Sequence, residues 1–252
     1  MTVEGIAEVA AAVRAAEKVV VLTGAGISTE SGIPDFRGPN GLWTKDPKAE
    51  RMSTLHHYMN DPEVRVLAWR ARLEHPAWTA RPNPAHLALA ELERKGRLDT
   101  LITQNIDGLH RAAGNSPERV IEIHGTMREV MCMSCGERAP MERALDRVRA
   151  GEDDPACRTC EGILKSATIS FGQNLVRADL ERAEHAAGSC DLFIAAGTSL
   201  GVYPVALLPQ IALGNGATLV IFNEQPTPYD SAARWVVGGR LGENLPRVVD
   251  SV

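Results

Sequence analysis

No stretch of this 252-residue sequence approaches the ~18 consecutive apolar residues of a membrane-spanning helix, so a helical membrane protein is not expected. A basic surplus is missing too: 27 Lys and Arg stand against 32 Asp and Glu, a formal net charge of −5. Nucleic-acid-binding faces usually carry a positive excess, so direct nucleic-acid binding is not expected. The opening MTVEGIAEVAAAVRAAEK places acids early and has no basic leader, so it does not read as a secretion signal. The expected compartment is therefore the cytoplasm, where thiols stay reduced. Its five cysteines then read as metal ligands or free thiols, not disulfides. There is no internal repeat and no low-complexity segment.

What is present is an ordinary globular composition, 44% hydrophobic and 23% charged, long enough for one large domain or a large plus a small one. The chain is organised around residues 19–41. Val19-Val20-Val21-Leu22 is a β-branched apolar run that stops at Thr23-Gly24-Ala25-Gly26, as a buried strand of a parallel sheet does. Helices are expected over 3–17, 84–95, 177–187, 204–213 and 244–252, with Asn83 as an N-cap and Pro84 at the first helical position. Strands are expected over 98–103, 119–123, 191–196 and 217–222. Strands alternating with helices imply an α/β, doubly wound, Rossmann-like parallel sheet.

Two segments break that rhythm. Residues 42–82 carry three of the four tryptophans, lack a strand-like run and read as a helical insertion. Residues 126–168 hold four of the five cysteines as Cys132-x-x-Cys135 and Cys157-x-x-Cys160, 21 residues apart. Two such pairs can grip a tetrahedral Zn²⁺ from both sides, and four thiolates leave no open coordination position, so the ion is expected to be structural. The expected division is 1–41, 83–125 and 169–252 for the nucleotide-binding domain, with 42–82 and 126–168 forming a smaller one. Cys190 is left as a core thiol.

Four strand ends carry small or polar clusters: Gly24-Ala25-Gly26, Gln104-Asn105-Ile106-Asp107, Gly197-Thr198-Ser199 and Asn223-Glu224. Ligands bind at the carboxyl ends of strands in such sheets, so the clusters are expected to face one cleft. Gly24-x-Gly26-x-x-Thr29 is close to a dinucleotide fingerprint but has Thr in place of its third glycine. No acid ends a second strand ~20 residues on, where a dehydrogenase holds its ribose. Asp35-Phe36-Arg37 lies instead in the same loop, which argues against hydride transfer. His124 follows a strand and precedes Gly125, among the other clusters. A histidine there reads as a general base, whereas His110 reads as structural and His56, His57, His75, His86 and His185 have no constellation.

The stretches Gly24–Gly38, Thr103–His110, Ile123-His124-Gly125, the paired cysteines, Phe171-Gly172, Gly197–Pro204 and Asn223 together resemble the sirtuin family, NAD-dependent protein-lysine deacylases. They occur in family order over residues 19–225. The resemblance implies that Gly24, Ala25, Gly26, Thr29, Asp35, Phe36 and Arg37 form the cofactor loop, with Pro34–Gly38 a cover that orders when NAD binds. Gln104, Asn105, Ile106 and Asp107 would form the ribose and nicotinamide pocket. Gly197, Thr198, Ser199, Asn223 and Glu224 would hold the phosphates and adenosine. His124, Asn105 and Asp107 would be the catalytic set. Ser170, Phe171, Gly172 and Val202 would dock an acyl-lysine protein or peptide as an added strand. Gln173 departs from the Glu that many relatives have after Phe-Gly. NAD would be a co-substrate and zinc a structural ion. Protein mono-ADP-ribosyl transfer, or a silent NAD or ADP-ribose sensor, are the alternatives. Relatives that remove negatively charged acyl groups carry Tyr-x-x-Arg in the insertion. Here the nearest match is Trp69-Arg70-Ala71-Arg72, with Trp69 expected to pack under the helices, Arg70 and Arg72 to be solvated, and a neutral acyl group such as acetyl to be preferred.

Overall fold

Apolar runs closed by glycine or small polar residues do become neighbouring strands in a computed structural model of the chain, which describes residues 3–35 and 51–252. Helix α1 (Val3–Ala15), strand β1 (Val19–Thr23) and a 3₁₀ helix (Ala25–Ser31) come first. Helices α2 (Leu55–Asn60), α3 (Pro62–Leu73) and α4 (Pro84–Arg94) follow, with a 3₁₀ turn (Pro76–Trp78) before α4. Then come β2 (Leu98–Thr103), α5 (Leu109–Ala113), β3 (Val120–Glu122), β4 (Gly125–Cys132), β5 (Arg138–Pro140), α6 (Glu142–Arg149) and β6 (Leu164–Thr168). The last elements are α7 (Arg177–Ser189), β7 (Leu192–Ala196), α8 (Leu208–Gly214), β8 (Thr218–Phe222), β9 (Trp235–Val237) and α9 (Leu241–Asp250).

Among the described residues, a six-stranded parallel sheet runs β3-β2-β1-β7-β8-β9. Successive side chains of a strand point to opposite faces. Val19 and Val21 accordingly pack with Val9 and Val13 of α1, Leu89 of α4 and Leu245 of α9. Val20 and Leu22 pack on the other face with Ala183 and Ala187 of α7 and Leu208 and Ala212 of α8. Every residue of β1 is buried, which is why Val19–Leu22 is an unbroken apolar run with no polar alternation.

A second, antiparallel sheet, β5-β4-β6, carries the cysteines. Trp69 of α3 shares one small core with Val130, Met141, Leu145, Leu164, Cys132 and Cys157. The described part of the helical insertion therefore packs onto the cysteine module. Residues 42–50 of the insertion lie outside the described residues.

Asn83 caps α4 as expected: its Oδ1 accepts from the Ala85 and His86 amides at 2.9 and 3.4 Å. Strands β4, β5, β6 and β9 go beyond the expected set, and several boundaries move, α1 ending at Ala15 and α7 at Ser189. The 204–213 helix divides into a 3₁₀ turn (Val205–Leu207) followed by α8. Helix α9 starts at Leu241 and not at 244, since the Glu30 carboxylate accepts the Gly242 amide at 2.8 Å and pairs with Arg240. A partner more than 200 positions away leaves no local signal.

Candidate active site

The carboxyl ends of β1, β2, β7 and β8 open into one cavity of about 1050 Å³. Its nearest wall is built of backbone. A Cβ added at Gly24 or Gly26 would lie 2.8 Å from the Gly197 carbonyl oxygen, so the loops after β1 and β7 touch main chain to main chain. The Gly26 amide donates to the Gly197 carbonyl at 2.8 Å and the Ile27 amide to the Gly24 carbonyl at 3.1 Å.

Most of the expected residues meet on this wall. Gly24, Ala25, Gly26 and Asp35 lie on it, as do Gln104, Asn105, Ile106 and His124. Gly197, Thr198, Ser199 and Asn223 line another part, and Ser170, Phe171, Gly172 and Val202 line the side towards β6. Three expected ligands do not line it. Thr29 turns back to donate to the Gly26 carbonyl at 3.0 Å. Glu224 is exposed beyond Asn223. Asp107 is 4% exposed and lies behind the wall, where its carboxylate accepts from Ser28 Oγ at 2.8 Å and from the Leu109 amide at 2.9 Å. Phe36 and Arg37 lie outside the described residues, and so does most of the expected Pro34–Gly38 cover.

His124 leaves β3 and enters β4. Its Nδ1 is 3.1 Å from the Gln104 carbonyl oxygen, which can only accept, so Nδ1 carries the proton and Nε2 is the basic nitrogen. Burial lowers the imidazole's pKa from 6.5, against the opposing pull of the Gln104 bond, and keeps the ring neutral at pH 7. Asn105 is fixed by two donations from Nδ2, to the Gly24 carbonyl and to Ser28 Oγ, both at 3.1 Å. Gln104 Nε2 donates to Thr198 Oγ1 at 2.8 Å and so ties β2 to the β7 loop.

A buried polar layer supports this wall. Ser28 Oγ donates to Asp107 and lies 3.4 Å from His86 Nε2, while His86 Nδ1 accepts the Asn83 amide in a capping box. His110 Nε2 contacts Thr23 Oγ1 at 2.9 Å, and Thr23 in turn donates to Thr103. Burial pushes both imidazoles down, His86 to about 4. The burial of His110 fits the structural role expected of it. His86, which has no constellation in the sequence, gains one here, Asn83-x-x-His86 having the spacing of a capping box.

The far lobe of the cavity corrects one expectation. Trp69 is buried at 2% exposure and Arg70 pairs with Asp153 on the surface, but Arg72 is not solvated. It lines the cavity and donates to Ser166 Oγ at 3.0 Å. One turn of helix separates Arg72 from Trp69, and the packing of Trp69 into the small core turns the third residue on inward. Lys165, 2% exposed, lines the same lobe and donates to the carbonyls of Ser166, at 3.1 Å, and Thr168. Burial lowers Arg72 to about 10 and Lys165 to about 8, the latter also through its cationic neighbour. Neither makes an ion pair with a carboxylate among the described residues. Lys165 had no signal in sequence, because one lysine in a short strand normally faces solvent.

The cysteines converge away from the cavity. Cys132 Sγ lies 3.5 Å from Cys160 Sγ and Cys135 Sγ 3.8 Å from Cys157 Sγ, with all four within 4.8 Å. Tetrahedral Zn–S bonds of about 2.3 Å require sulfurs about 3.8 Å apart, so the four thiolates fit Zn²⁺. Cys190 is buried and donates to the Ala187 carbonyl at 3.3 Å.

The sequence profile of the Sir2 family matches residues 24–204. The chain is 49% identical over 231 residues to NAD-dependent protein deacetylase 2 of Streptomyces coelicolor, covering 92% of this chain and 96% of that one. Among solved structures it resembles a Sir2 protein bound to a p53 peptide and NAD⁺, with a TM-score of 0.87, 35% identity, and 99% and 98% of the two chains covered. It also resembles a Sir2 histidine-to-alanine variant with deacetylated p53 peptide and 3′-O-acetyl-ADP-ribose, with a TM-score of 0.89, 36% identity and the same coverage.

Proposed function

The chain belongs to the Sir2 family, and on that premise we propose that the cavity carries out NAD-dependent deacylation of protein lysines. The observation that carries this reading is His124, a neutral imidazole on the cavity wall whose Nδ1 is committed to Gln104 and whose Nε2 is left basic. NAD is the co-substrate and Zn²⁺ a structural ion held by Cys132, Cys135, Cys157 and Cys160. Gln104, Asn105 and Ile106 border the reacting ribose, Gly197, Thr198, Ser199 and Asn223 take the phosphate and adenosine end, and Ser170, Phe171, Gly172 and Val202 take the acyl-lysine strand. Asp107 acts from behind the wall by holding Ser28 and the turn into α5.

The acyl oxygen attacks C1′ of the nicotinamide ribose while nicotinamide leaves with the bonding electrons. His124 then accepts the proton of a ribose hydroxyl as that oxygen adds to the imidate carbon. Water completes release of the free lysine and O-acyl-ADP-ribose. The Asn105 amide dipole, locked by Gly24 and Ser28, is preorganised beside the charge that develops. His124→Ala should keep ADP-ribose affinity and lose turnover; wild-type turnover in that variant would refute the assignment. ADP-ribosyl transfer to protein is not favoured, since the relatives are deacetylases. The division into a sheet domain and a smaller lobe made of 42–82 and 126–168 is part of the same proposal. So is action in the cytoplasm, where reduced thiols persist; no described helix is long and apolar enough to cross a membrane.

One observation favours a second acyl class. Arg72 and Lys165 are two cations inside the substrate cavity, without an acid beside either among the described residues. An acyl chain that ends in a carboxylate would neutralise them, and Ser166 and Thr168 would add hydroxyl donors. The lobe therefore suits a succinyl-type chain as well as acetyl, despite Trp69 in place of tyrosine.

A further inference from the structure

We infer that Arg128 is a positioning residue, one that fixes the Asp107 end of the nucleotide wall from the cysteine-bearing sheet. The inference rests on the NAD-dependent reading given above. Arg128 sits midway along β4, between His124 at the strand's entry and the zinc ligand Cys132 at its end. Its guanidinium donates twice to the Asp107 carbonyl, from Nε at 3.1 Å and from Nη2 at 2.8 Å. Nη2 also donates to the Ala77 carbonyl at 3.0 Å, and the guanidinium lies 5.0 Å from the centre of the Trp78 ring.

The Asp107 carbonyl needs such a partner. Gly108 follows it with φ of 76°, in the left-handed region, so the carbonyl is turned out of both β2 and α5. A Cβ at Gly108 would come within 3.2 Å of Arg128 Nε, so glycine there leaves room for the guanidinium. Next to Arg128, the Met127 amide donates to the Ile106 carbonyl at 2.9 Å, and the Met127 side chain packs with Leu109, Ala77 and Ile33. The main chain of Ile106 and Asp107 is thus held by β4 just where it leaves the cavity wall. Asp107's carboxylate meanwhile holds Ser28, which holds Asn105.

The reach of this strut extends to the other lobe. Trp78 Nε1 donates to the Arg72 carbonyl at 2.6 Å. One guanidinium therefore touches the turn that fixes the end of α3 and the segment that fixes the nucleotide wall. A lysine could reach one of the two carbonyls but not bridge both from a planar fork.

The test measures ADP-ribose affinity by calorimetry on the zinc-loaded full chain, with zinc content and melting temperature measured alongside. Arg128→Gln should weaken ADP-ribose binding, and raise the KM for NAD, by roughly tenfold, the scale of a lost charged hydrogen bond, with zinc still at one ion per chain. Arg128→Lys should fall between Arg128→Gln and wild type. A merely structural arginine would lower the melting temperature and leave the affinity of the folded protein unchanged, so an ADP-ribose Kd within twofold of wild type in Arg128→Gln overturns the inference. Should Arg128→Gln fail to hold zinc, Arg128→Lys decides: a severalfold weaker Kd supports the role and a wild-type Kd overturns it. Wild-type protein that binds no ADP-ribose would overturn the NAD reading, and this inference with it.

Discussion

Lowering the pH from 7.5 to 4.5 should destabilise the wild-type protein about 2.5 kcal/mol more than a His86→Gln variant. His86 is fully buried, its Nδ1 accepts the Asn83 amide and its Nε2 faces Ser28 Oγ. Protonation puts a charge where no solvent reaches and turns the capping acceptor into a donor facing a donor. Burial therefore lowers its pKa from 6.5 to about 4, opposed only by Asp107. Because the folded value is the lower one, the unfolded chain binds the proton first. The stability that the neutral ring contributes is complete above pH 6.5 and drains away as the pH falls towards about 4. At pH 4.5 the unfolded ring is almost wholly protonated and the folded ring only in part, which corresponds to about 1.9 pH units, or about 2.5 kcal/mol. Glutamine at the same third helical position can accept the Asn83 amide and does not titrate in this range. Its loss of the Ser28 contact costs the same at every pH and cancels. Zinc release and carboxylate protonation also act on both proteins and cancel. Urea unfolding followed by far-UV circular dichroism at pH 7.5, 6.0 and 4.5 gives the comparison. Parallel pH dependences for the two proteins would refute the buried, neutral assignment of His86.

Three further outcomes are expected. Cys132→Ala should abolish stoichiometric zinc and lower the melting temperature by roughly 10 °C or more, because Cys132 is also part of the small core; unchanged melting would rule out a structural ion. The acid limb of kcat/KM should have its midpoint below 6.5, since burial lowers the pKa of His124, and a midpoint above 7 would contradict a desolvated base. Arg72→Leu should reduce desuccinylation relative to deacetylation by about 30-fold, the scale of a charged hydrogen bond lost inside a cavity, and an unchanged ratio would remove Arg72 from acyl selection.

Much of this architecture was legible because the sheet is buried on both sides. Val19–Leu22 and Leu192–Ala196 are continuous apolar runs, and their ends are marked by glycine and small polar residues, which places the four clusters on one edge from the sequence alone. The two Cys-x-x-Cys pairs likewise announce their own geometry. The remainder depends on tertiary contacts that no local pattern encodes. Arg72 reads as a surface arginine until Trp69, one turn earlier on the same side of α3, is seen to pack inward. Lys165 gives no local sign of its burial, which comes from β6 being covered throughout. Asp107 reads as a wall residue from its neighbours Gln104 and Asn105, yet Gly108 turns the chain and sets its carboxylate behind them. Helix α9 begins where Glu30 meets it, which depends on the sheet already being folded.

Everything above requires acyl-lysine and NAD to react together in one cavity. Mass spectrometry of an acetyl-lysine peptide incubated with the protein and NAD tests it most directly. The expected result is loss of the acetyl group from the peptide with equimolar nicotinamide and O-acetyl-ADP-ribose. An intact acetyl group, with NAD unspent or with ADP-ribose attached to protein, would contradict it.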